Sequence, residues 1–98
     1  MYKSLKSIVL TNENNASAAE LFTATFRDYG LAKVVGETTY GKGCMQTILP
    51  LERYGLEGGL RVTTAMYFSK SHYVYHEIGI EPDFIVPLSE EAAEYNFF

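Results

Sequence analysis

Two short apolar runs separated by one helix-length segment constrain this chain more than any other feature. The first, SIVLTN at Ser7 to Asn12, is closed by Asn-Glu-Asn-Asn and has the length and bounds of a buried strand that ends in a polar turn. Behind it Ala18, Leu21, Phe22, Thr25, Phe26 and Tyr29 recur at helical spacing and mark one face of a helix. Gly30 stands where a left-handed cap ends that helix. The second run, AKVVGE at Ala32 to Glu37, is rich in β-branched residues and too short for a helix. Strand, helix and strand in this order make a βαβ unit, with the two strands parallel and the helix as the crossover between them.

After this unit the pattern becomes antiparallel. CMQTILPL and GLRVTTAMYF are strand-like and are joined through ERYGLEGG, whose three glycines suit a hairpin with a longer loop. SKSHYVYHEIG alternates Tyr73 and Tyr75 with polar neighbours and reads as a second, more exposed hairpin arm. IEPDFIVPL carries Pro82 and Pro87, which confine it to an edge strand or an extended tail. Residues 89–98 suit a short C-terminal helix, with Ser89 as its cap and Glu90 and Glu91 facing the positive end of its dipole. The fold class is therefore α/β, a βαβ unit followed by an antiparallel hairpin region.

Composition removes several classes of function. The 98 residues carry 8 Lys and Arg against 12 Asp and Glu, a net charge of −4 with no basic run, so a nucleic-acid backbone has little to hold. The single cysteine, Cys44, excludes an internal disulfide and a metal site built from cysteines. No apolar run approaches the roughly 20 residues that span a bilayer, and MYKSLKS lacks the apolar block of a signal peptide. Nothing in the sequence calls for a metal or a cofactor.

Ser17 lies on the turn from the first strand into the helix, where free N–H groups at the helix start can meet a developing oxyanion. Serines in such turns serve far more often as caps, so a catalytic reading requires a base. Lys42, flanked by Gly41 and Gly43, is the candidate: the glycines let the backbone bend closely and leave room for the side chain to turn inward. A lysine works as a general base when desolvation favours its neutral form. Gln46, four residues on, offers a neutral amide that orients the amine without adding charge. His72, His76 and Asp83 suggest a Ser-His-Asp alternative, and Cys44 a thiol nucleophile. A histidine on a tyrosine-rich hairpin is more often a surface or packing residue, and a lone small cysteine is more often buried in a strand.

NENNASAAELF, VVGETTYGKGCMQTILPL, LRVTTAMYF and GIEPDFIVPL together resemble the carboxyl-terminal processing, or tail-specific, serine proteases over nearly the whole chain. The resemblance implies Ser17 as nucleophile, Lys42 as base and Gln46 as support for the lysine, with the backbone N–H of Ala18 as an oxyanion donor. It also implies a core built as a spiral of ββα units like that of crotonase and Clp protease. Where the family has a Pro-Ser-Gly turn, this chain has SKSHYVYHEIG.

The family further carries an upstream core layer with a glycine-rich oxyanion loop, and usually a PDZ domain that reads substrate C-termini. Neither is found in residues 1–98, which the resemblance therefore implies are part of a catalytic domain from an exported or membrane-anchored parent, with little or no activity alone. The expected partner is a protein or peptide substrate, together with a second copy of the chain through an exposed sheet edge or strand exchange. A non-catalytic binding or oligomerisation module, like the related domains of the retinoid-binding protein of the eye, is the competing reading. The Ser17, Lys42 and Gln46 set argues against it.

Overall fold

A computed structural model describes residues 4–91 and contains β1 (Ser7–Thr11), α1 (Ala18–Asp28), β2 (Ala32–Gly36), β3 (Cys44–Pro50), β4 (Gly59–Met66) and β5 (Phe84–Ile85). The βαβ unit forms as its pattern dictates. β1 and β2 are parallel, with Ser7 opposite Ala32 and Thr11 opposite Gly36. The helix between them ends in a Schellman turn: the Leu31 N–H reaches the Phe26 carbonyl at 2.8 Å and the Gly30 N–H that of Arg27 at 2.9 Å, with Gly30 at φ 66°.

β5 adds to the free side of β2, also parallel, giving the order β1-β2-β5. Asp83 guides it in, since its N–H donates to the Val34 carbonyl at 2.8 Å while its carboxylate accepts the Val34 N–H at 2.7 Å. Pro82 and Pro87 bracket this short edge strand, as prolines without a donor must. Of the helix expected over 89–98, Glu90 and Glu91 are helical and residues 92–98 lie outside the described residues.

The apolar stripe of α1 is not the face that packs inward. Glu20, Thr23 and Ala24 are the buried helical residues, while Phe22 and Tyr29 stay 53% and 58% exposed and Phe22 stacks on Phe26 at 4.2 Å. The inward face is set by hydrogen bonds to Glu20 and by Ala24, which packs with Tyr75 and Ile80 in a small core flanked by Tyr67 and Tyr73. Residues 69–80 form turns rather than a second hairpin arm. Positive φ at His72, Glu77 and Gly79 bends the chain back, so that Tyr75 enters the core instead of alternating along a strand.

β3 and β4 pair antiparallel from Cys44 opposite Met66 to Pro50 opposite Gly59, with a bulge between Met45 and Gln46. Beyond the bulge the hairpin is exposed on both faces. The radius of gyration is 17.0 Å, against about 13 Å for a compact chain of this length, because the hairpin projects. Ile8 and Leu10 of β1 are likewise 65% and 73% exposed, whereas parallel sheets ordinarily bury both faces.

The turn 75–80 is pressed onto the loop that follows β2. Gly79 has φ 81°, and a Cβ there would overlap the Thr39 carbonyl oxygen. Gly55, at φ 75°, has open space around it. Backbone strain alone costs about 1–3 kcal/mol at such positions. Gly79→Ala is expected to lower the urea unfolding midpoint clearly more than Gly55→Ala, and equal shifts would show that the contact with Thr39 does not constrain the fold.

Candidate active site

The turn entering α1 carries an unusual backbone. Ser17, at the N-cap, has φ 57° and ψ −117°, the pair adopted by the first central residue of a type II′ turn, where glycine dominates. The helix start is closed by a capping box with Glu20, three residues on, whose carboxylate accepts the Ser17 N–H at 2.9 Å. Ala18 opens the helix, so its N–H is one of the donors that a helix leaves unpaired at its start.

Glu20 is fully buried and does more than close the helix. Its Oε1 accepts the Thr39 hydroxyl at 2.5 Å and the Gly41 N–H at 2.6 Å, and its Oε2 accepts the Lys42 N–H at 2.7 Å besides that of Ser17. Four donors on two oxygens satisfy a carboxylate that would otherwise be expensive to bury. One side chain therefore ties the backbone of Ser17 to two successive amides of the loop, those of Gly41 and Lys42.

The rest of the glycine-flanked loop is bonded residue by residue. The Tyr40 N–H donates to the Asn15 carbonyl at 2.9 Å, and the Gly41 carbonyl accepts the Glu77 N–H at 2.7 Å. The Gly43 N–H donates to His76 Nδ1 at 3.2 Å, and its carbonyl accepts the Tyr67 N–H at 2.7 Å. Gly43 leaves no room for a side chain, because a Cβ would lie 2.9 Å from the backbone nitrogen of His76 and 3.0 Å from the Tyr75 ring. Tyr75 is buried with its hydroxyl unpaired, and burial raises its pKa, aided by the Glu20 carboxylate and Tyr67.

Ser17, Lys42 and Gln46 line one cavity of about 330 Å³ together with Cys44, Met45, Ile48, Arg61 and Tyr67. A neighbouring hollow of about 520 Å³ shares Lys42, Cys44, Gln46 and Arg61 and adds Tyr40, Gly41, His76 and Glu77. Ala18 is exposed at the head of the helix and does not line either space. Asp83 lies elsewhere, in a hollow with Lys6 and Arg27, and its carboxylate is engaged by Val34, so no Ser17-His-Asp83 set assembles. His72 stacks on Phe68 in an exposed turn. Cys44 is buried beside Lys42 and Gln46.

Sequence reasoning passed over Glu20 and Arg61. The signal for Glu20 was present as Ser-x-x-Glu at a helix start, a pattern that pairs the acid with the cap backbone. Arg61 becomes visible only with the hairpin register.

A βαβ unit thus carries a serine on a strained helix entry and, on the same cavity, a glycine-flanked lysine at the base of the hairpin. The sequence matches Peptidase family S41 over residues 1–86. It is 42% identical over 91 residues to a carboxy-terminal-processing protease of Bartonella bacilliformis, covering 91% of this chain and 20% of the relative. It is 39% identical over 80 residues to a carboxyl-terminal-processing protease of Picosynechococcus, covering 82% of this chain and 19% of the relative. Among solved structures, a photosystem II D1 C-terminal processing protease superimposes with a TM-score of 0.78 at 31% identity, over 86% of this chain and 21% of that one. The chain belongs to peptidase family S41 and spans about a fifth of the length of these relatives.

Glu20→Gln replaces one acceptor oxygen by an NH₂ group that faces N–H donors. Each donor left unpaired in the interior costs about 1–3 kcal/mol. The variant is expected to lose stability in urea and to expose the amides of Gly41 and Lys42 to hydrogen exchange before those of β1 and β2. Unchanged protection of those two amides would show that the carboxylate does not hold the loop.

Proposed function

We propose that this chain supplies the nucleophile and the base of a serine endopeptidase that cleaves C-terminal regions of proteins or unfolded chains. The observation that carries the reading is the meeting of Ser17, Lys42 and Gln46 in one cavity, with Ser17 on a strained turn. Family membership supports peptide hydrolysis as the chemistry.

In this mechanism Ser17 Oγ attacks the peptide carbonyl carbon while neutral Lys42 takes the hydroxyl proton. The C–N bond then breaks as Lys42 returns that proton to the leaving amine, leaving an acyl group on Ser17. Water, deprotonated by the same lysine, attacks the ester and restores the serine. Gln46 orients the amine through its amide, and the Ala18 N–H is one donor to the oxyanion. Loss of one such donor from a working site costs on the order of 100- to 1000-fold in rate.

Because the chain spans about a fifth of its relatives, we assign this activity to a longer protein. There an added core layer completes a spiral of ββα units and supplies a second oxyanion donor, and a PDZ domain delivers the substrate, outside the cytoplasm. The 98 residues alone are expected to turn over slowly or not at all. Among the described residues β1 has a neighbour on one side only, and that open edge supports pairing with a second copy.

Peptide release from an unfolded protein tests the assignment. In the longer protein, Ser17→Ala and Lys42→Ala are each expected to abolish cleavage and Gln46→Ala to reduce it, with the double Ser17/Lys42 variant scarcely worse than either single one. Cleavage at neutral pH by Lys42→Ala would remove lysine from the mechanism. Multiple turnover by the 98-residue chain, lost in Ser17→Ala, would overturn the need for further parts.

A further inference from the structure

Arg61 sits across the hairpin from Ile48, and Thr63 sits across from Gln46. Residues directly opposite in an antiparallel pair share a face, and side chains alternate along each strand. Gln46, Ile48, Arg61 and Thr63 therefore share one face. On the other face the Thr47 and Thr64 hydroxyls bond to each other at 2.9 Å. The first face is the one turned to the site, since Gln46, Ile48 and Arg61 line the cavity with Ser17 and Lys42. The bulge at Met45/Gln46 lies at the root of the hairpin, where such features re-aim side chains.

The Arg61 side chain is exposed and has no hydrogen bond or ion pair with any described residue; the ion pair found among them joins Arg27 and Asp28. Glu20 is occupied by its four donors, and Glu77, on the rim of the adjoining hollow, makes no ion pair with Arg61. All five guanidinium donors are thus available beside the serine. Their planar fork fits a carboxylate through two parallel hydrogen bonds. Met45, Ile48 and Tyr67 give the same cavity an apolar wall against which the stem of an acidic residue can lie.

We propose that Arg61 is a specificity residue that receives a carboxylate of the bound peptide next to the scissile bond. The inference rests on the peptidase reading, and two sources carry the same chemistry: an Asp or Glu side chain, and the free carboxylate at a peptide C-terminus. Lys42 lines the same cavity, but the proposed mechanism assigns its amine to the serine proton. The Arg61 guanidinium has no partner among the described residues.

The test is peptide binding to the full 98-residue chain carrying Ser17→Ala, followed by fluorescence anisotropy at low and high salt. Three labelled peptides are used, identical except that one has Glu with an amidated end, one Gln with an amidated end and one Gln with a free carboxylate. The Glu peptide, the free-acid peptide or both are expected to bind about fivefold tighter than the neutral one at low salt, a margin of the size that one well-placed exposed ion pair supplies. Which of the two gains identifies the source. Arg61→Met should erase the preference, Arg61→Lys should keep part of it, and Arg61→Glu should reverse it toward a Lys-containing peptide.

A preference that survives Arg61→Met overturns the assignment, as does equal or undetectable binding of all three peptides. Because Arg61 is exposed and partnerless, the variants should unfold at the same urea concentration as the parent. Cleavage by the longer protein is read separately. Preferential binding without cleavage removes the peptidase reading and leaves the carboxylate site, whereas cleavage indifferent to charge removes Arg61 alone.

Discussion

The Glu20 carboxylate is the interaction on which the arrangement depends. It takes the Ser17 N–H from the helix start, the Thr39 hydroxyl, and the N–H groups of Gly41 and Lys42 from the loop after β2. Full burial of a carboxylate is tolerable only because every donor points at it, and the same concentration of donors makes it hard to replace. Thr39 extends the network: its hydroxyl oxygen also accepts the Ile80 N–H at 2.8 Å, so the turn before β5 is tied to the same centre. Helix start, lysine loop and C-terminal turn therefore share one origin, and the lysine loop is held through its backbone. That leaves the Lys42 side chain free to meet a third molecule.

Much of this was legible where the physics is local. The βαβ unit follows from β-branched runs around a helical period, and the hairpin from two strand-like runs around glycines. The Ser17, Lys42 and Gln46 spacing was legible through family resemblance rather than periodicity. What escaped was whatever depends on the environment of a side chain. A helical period announces that an apolar stripe exists, but not that Phe22 and Tyr29 face outward while a glutamate points in. A charged residue in a helix reads as solvated unless its donors are known, and three of the four donors to Glu20 come from residues 39 to 42. The alternation at Tyr73 and Tyr75 resembled a strand because side-chain pattern carries no record of positive φ at His72 and Glu77.

Apolar surfaces remain uncovered on several described elements: the Phe22 stripe of α1, the Ile8 and Leu10 side chains of β1, Phe84 and Ile85 of β5, and the projecting hairpin with Ile48, Leu49 and Leu60. A domain that completed its own core would not leave all of these in water. They lie on different elements, so a single small ligand does not account for them. Further apolar layers, such as the proposed longer protein would supply, fit them better. The core that is closed, around Ala24, Tyr75 and Ile80, lies next to the lysine loop. Local order at the site thus does not wait for the remaining surfaces to be covered.

The backbone at Ser17 sets stability and chemistry against each other. A conformation of φ 57° and ψ −117° costs a side-chain-bearing residue on the order of 1–3 kcal/mol that glycine avoids. If folding were the sole requirement, random substitution would carry this position toward glycine and the protein would gain robustness with each such step. Folding alone thus gives no reason for a serine at this position. Under the proposed nucleophile role, position 17 would be among the first to relax in a copy that had lost cleavage, a marker for telling working descendants from decayed ones.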